Sequence, residues 1–110
     1  YDAIVFATGY TQEIKFLGLK TISKNYNYVI NPYIEDCGFI GLNPSYNWPQ
    51  VSYYQSEWFI NYIKNKIKLP GKKEMIEWIK LKGSEQKSNN LDYFDLTYDS
   101  ISYIKNLRIF

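Results

Sequence analysis

Two apolar runs closed by glycine hold the residues best suited to chemistry. Tyr1-Asp2-Ala3-Ile4-Val5-Phe6 leads into Ala7-Thr8-Gly9, and Cys37-Gly38-Phe39-Ile40 leads into Gly41-Leu42-Asn43. Small residues at the end of an apolar run leave the backbone open to close approach, which suits either a tight turn or a bound cofactor. Gln55 is the remaining candidate. Its spacing from Trp58 and Tyr62 sets an amide on the apolar face of a helix, where it needs hydrogen-bond partners away from bulk water. Nearby backbone or the polar edge of a ligand would each meet that need.

Acid–base and metal chemistry are poorly provided for. The 110 residues include no histidine and a single cysteine, Cys37, so the usual zinc and imidazole-base chemistries are missing and no intrachain disulfide can form. Cys37 is expected as a small buried residue. A net charge of +2, with both signs interspersed, gives neither a nucleic-acid stripe nor a polybasic membrane patch. Lys64, Lys66, Lys68, Lys72 and Lys73 are read as a solvated group at a helix end and its following turn. No apolar stretch approaches the length of a transmembrane span, and the apolar start lacks the charged lead of a secretion signal. A soluble protein of a reducing compartment, the cytoplasm, is expected.

The elements that must position these residues read as α/β. Hydrophobic residues are 45% of the chain, enough for one modest core. Ala3 to Phe6 reads as a buried parallel strand, Asn25 to Tyr33 as an extended stretch limited by Pro32, and Cys37 to Leu42 as a second short strand. Beyond Trp48-Pro49 the period becomes helical. Val51, Tyr54, Trp58, Tyr62 and Leu69 share one face of a helix that Pro70-Gly71 should stop. A second helix is expected from Lys72 to Lys82, ending at Gly83, and a third near Thr97 to Leu107. Strands and loops should thus occupy about residues 1–47 and helices about 49–107, within one domain.

Phe6-Ala7-Thr8-Gly9-Tyr10, followed after a spacer by Phe16-Leu17, resembles the FATGY segment of flavin-containing monooxygenases. Gly38-Phe39-Ile40-Gly41-Leu42 is similar to that family's late FIGL strand, and Gln55 with Trp58 matches its following helix. Leu69-Pro70-Gly71-Lys72-Lys73-Glu74-Met75 looks like the family's LPxxxEM linker, and Asp92-Tyr93 opens a fainter likeness to its tail. The chain departs from the pattern at Lys15, where the family has proline, and at Tyr53, where it has an acid.

The resemblance implies the carboxyl-terminal part of a Rossmann-like FAD-binding domain. It further implies a parent enzyme that uses FAD and NADPH to oxygenate soft nitrogen or sulfur nucleophiles through a flavin hydroperoxide. Ala7, Thr8, Gly9, Gly41, Leu42, Asn43 and Gln55 would then lie toward the cofactor. No GxGxxG turn for a pyrophosphate occurs in these residues, so the missing amino-terminal part of the same polypeptide would have to supply it, and this segment alone would not be competent. A small amine or sulfide is the implied substrate. The competing readings are a Baeyer–Villiger-type flavoprotein and a truncated, non-catalytic interaction module that uses its exposed aromatics.

Overall fold

A computed structural model describes residues 2–7, 24–86, 94–97 and 99–108, and its regular structure is three helices: α1 (Trp48–Ile63), α2 (Lys72–Glu85) and α3 (Ser100–Leu107). All three lie where the periodicity predicts helix. Pro49 occupies the first turn of α1, where its missing N–H has no intrahelical partner to lose. Val51, Gln55 and Trp58 are the buried residues of α1, with Tyr54, Phe59 and Tyr62 packed beside the core.

The end of α1 comes earlier than Pro70-Gly71. Asn65 takes the left-handed conformation at φ 57°. Its N–H donates to the Tyr62 carbonyl at 2.9 Å, and the Lys66 N–H reaches back to the Asn61 carbonyl at 2.9 Å. That pair of bonds is a Schellman stop, and asparagine tolerates the required conformation better than most residues. Conversely, α2 does not end at Gly83 but runs on to Glu85, burying Met75 and packing Trp78 and Ile79 against the core.

No strand is present among the described residues, which overturns the α/β, Rossmann-like reading in favour of a small helical structure. Isolated antiparallel bridges, Tyr26 to Ile30 and Ile30 to Gly38, are all the β-pairing there is among them. The segment expected as the first strand is unpaired, with Ile4, Val5 and Phe6 exposed at 76, 89 and 81%. An apolar run records a preference for burial, but a strand also needs a neighbouring ladder for its N–H and C=O groups, and no described residue supplies one.

The stretch from Asn25 to Tyr33 is a reversal, not an extended segment. Asn27 and Tyr28 both have positive φ, 48° and 61°, and Val29 N–H closes onto the Tyr26 carbonyl at 3.1 Å. Cys37 to Leu42 touches this reversal through the Phe39 N–H, which donates to the Val29 carbonyl at 2.8 Å, before Gly41 turns the chain at φ 71°. Cys37 is half-buried, not fully enclosed as expected.

The core forms around Tyr28. Its ring makes edge-on contacts with Trp78, Phe94 and Tyr103, at centroid distances of 5.4, 5.7 and 4.8 Å. A tyrosine in the left-handed region costs about 1–2 kcal/mol, and aromatic pairs of this geometry return about 0.5–1.5 kcal/mol each beyond their burial. Packing therefore outweighs the local strain. Val29, Ile30, Val51, Trp58, Met75, Leu96, Ile104 and Leu107 complete the cluster.

Candidate functional site

The candidate residues that come together do so around one buried amide. Gln55 projects from the inward face of α1 and is 0% exposed. Its Oε1 accepts the Gly41 N–H at 2.9 Å. Its Nε2 donates to the Tyr103 hydroxyl at 3.2 Å, and that hydroxyl in turn donates to the Asn27 carbonyl at 2.8 Å. One glutamine and one phenol thus fasten α1, α3, the reversal at Asn27 and the turn at Gly41 to each other.

The Gly41 turn requires its glycine for two reasons. Its φ of 71° lies where L side chains are strained, and an added Cβ would stand 2.8 Å from the Ser52 Oγ. Leu42 follows, half-buried. Asn43 is buried and donates from Nδ2 to the Phe94 carbonyl at 2.9 Å, while its Oδ1 has no hydrogen-bond partner. The adjoining Pro44 carbonyl accepts the Leu96 N–H at 3.0 Å, so residues 94–97 are strapped along this turn. Gln86, the residue that caps the end of α2, secures the same strap, its Oε1 accepting the Asp95 N–H at 3.0 Å and its Nε2 donating to the Asp95 carbonyl at 3.2 Å.

Burial raises the Tyr103 phenol well above its ordinary value, against the opposing pull of the Gln55 donor and with a smaller push from Tyr28. The hydroxyl stays neutral and keeps its proton for Asn27. It is a structural donor, with no base within the network to take that proton.

Of the other predicted site residues only Ala7 is described, and it does not join this group. Ala7 is exposed and makes no hydrogen bond among the described residues. Thr8 and Gly9 lie outside the described residues, as do Phe16, Leu17, Asp92 and Tyr93 on which part of the resemblance rests. Tyr103 is the residue that sequence reasoning missed as a polar partner. It reads as an aromatic flank of a helix, and its separation of 48 residues from Gln55 leaves no local signal.

The Gly41 N–H and the Gln55 amide are committed to each other and to Tyr103, which leaves Asn43 Oδ1 as the one buried side-chain acceptor of Gln55 and Asn43 without a partner. These residues alone therefore do not fit the grip of FAD or NADPH. Among the described residues no group of three or more His, Cys, Asp or Glu could hold a metal ion, and no helix is long and apolar enough to cross a membrane. No family model matches the chain, and neither a curated protein nor a solved structure matches it. The likeness to flavin-containing monooxygenases is carried by the quoted motifs only.

Proposed function

We propose that the chain is the late part of an FAD- and NADPH-dependent monooxygenase acting on soft nitrogen or sulfur nucleophiles, and that it contributes a helical wall and a fixed turn, not the cofactor grip. The Gly41–Gln55 hydrogen bond carries this reading. It joins two of the segments that carry the resemblance, Gly38 to Leu42 and Gln55 with Trp58. The phosphate-holding turns would belong to the amino-terminal part of the same cytoplasmic polypeptide. Gln55 and Tyr103 would then act by holding the Gly41 backbone still, a positioning role that a buried and fully bonded amide suits.

The test is to express the complete reading frame that contains these residues, then measure bound flavin and NADPH-dependent oxygen uptake with a tertiary amine or a thioether present. Stoichiometric FAD with NADPH oxidation is expected. A flavin-free product overturns the proposal.

The second reading, a non-catalytic interaction module, is favoured by the outward face of α1, where Tyr53, Ile60 and Ile63 are exposed beside Tyr46 and Trp48. A flavin-free full product together with a cooperative melt of the 110-residue chain would support it over the enzyme.

A further inference from the structure

The three helices are not equally tied to one another. α1 and α3 pack together with Cα separations within 8 Å, whereas no Cα of α2 comes that near either of them. Open space accounts for the gap. A cleft of about 450 Å³ opens between Trp78, Lys82 and Glu85 of α2 and Ser102 and Asn106 of α3, and another of about 410 Å³ lies between Lys72 and Met75 of α2 and Tyr62 of α1. Met75 is the single buried residue among the fourteen of α2, where α3 buries four of its eight, so α2 draws far less stability from apolar burial. A helix of that length is marginal by itself.

Besides Met75 and Ile79 against the core, a short set of side-chain ties holds α2 in place. The half-buried Trp78 ring meets Tyr26, Tyr28 and Phe94 edge-on, at centroid distances of 5.3, 5.4 and 6.3 Å. At the start of the helix, the Lys72 ammonium stands 4.5 Å from the centre of the exposed Tyr33 ring. At its end, the Gln86 amide bonds both the N–H and the carbonyl of Asp95. We propose that α2 is a hinged arm that opens as one unit from the α1–α3 body, with Gln86 as its latch, and that opening uncovers the Tyr28 and Phe94 rings. Gly71 supplies the hinge. It precedes α2 in an extended conformation, φ −63° and ψ 158°, and a Cβ added there would face open space. Segments with few buried contacts open at a fraction of the free energy of the whole fold, and α2 is such a segment. The inference stands apart from the oxygenation reading, because it involves neither flavin nor the Gly41 turn.

Amide hydrogen exchange of the 110-residue chain at neutral pH, followed residue by residue, tests it. The protected amides of α2 should exchange faster than those of α1 and α3 by about tenfold or more. Gln86→Ala removes two hydrogen bonds and should speed α2 by about a further tenfold while leaving α1 and α3 unchanged. Gln55→Leu, which removes the bond from α1 to Tyr103 of α3, should do the reverse. It speeds α1 and α3 and leaves α2 alone, because an amide that exchanges through a local opening does not report the stability of the whole fold. Equal exchange in all three helices, no response of α2 to Gln86→Ala, or either variant moving the three helices together overturns the proposal.

Discussion

A glutamine with no exposed surface stabilises a fold only if both ends of its amide find partners, and Gln55 finds Gly41 on one side and Tyr103 on the other. Replacing it with leucine keeps the bulk but leaves the Gly41 N–H and the Tyr103 hydroxyl each short of a partner. Gln55→Leu should therefore lower stability by about 1–3 kcal/mol, read as a depressed thermal midpoint. An unchanged midpoint would mean that water replaces both bonds. Gly41→Ala should cost about 1–2 kcal/mol through the left-handed backbone alone, with the Ser52 contact adding to it. Denaturant midpoints of the two single variants and the double variant would show coupling if the turn and the amide act as one unit. Sequence reasoning placed Gln55 on an apolar face in need of partners, and that much was legible from spacing. The identity of the partners was not, because they lie 14 and 48 residues away and meet it only through packing.

At the scale of elements, the helices were legible and the strands were not. A 3.6-residue apolar period over many residues carries its own evidence, and α1, α2 and α3 follow it. A short apolar run such as Ala3 to Phe6 or Phe39-Ile40 carries no such evidence, since it becomes a strand only when a neighbour is present to pair with it. Boundaries erred where a conformation decided them. Asn65 stops α1 by adopting positive φ, a choice that a proline-centred reading passed over, and Gly83 lies inside α2 where a glycine stop was expected. The misplaced stop supplies a prediction. An added Cβ at Gly83 meets nothing within 4 Å, and its backbone is helical, so Gly83→Ala should stabilise by about 0.5–1 kcal/mol by restricting the unfolded chain. Thermal melts of the two proteins decide this, and a lower midpoint for the alanine variant would place an unrecognised contact at that position.

The whole molecule is organised by an aromatic centre, and its pH dependence follows from that. Tyr28 is held neutral by burial first and by Asp99 and Glu85 next, which move its phenol from 10.0 to about 12. Burial likewise raises Tyr103, and burial with Glu74 raises Tyr26. In each case the folded chain keeps a proton that the unfolded chain releases as pH climbs above the ordinary phenol value. Unfolding is then accompanied by proton loss, so stability is fully present below pH 10 and declines as pH rises from 10 toward 12. The expected record is a thermal midpoint that holds steady up to the ordinary phenol value and then falls. Phenolate absorbance from Tyr26, Tyr28 and Tyr103 should appear only as the fold opens. Tyr28→Phe retains the ring contacts with Trp78, Phe94 and Tyr103 while deleting the ionisable group, so it should flatten the alkaline fall without abolishing it, Tyr103 still having to ionise. If the variant instead loses stability in parallel with the parent at every alkaline pH, the ionisation of Tyr28 is not what opens the core, and the fall must be assigned to Tyr103 and its bond to Asn27.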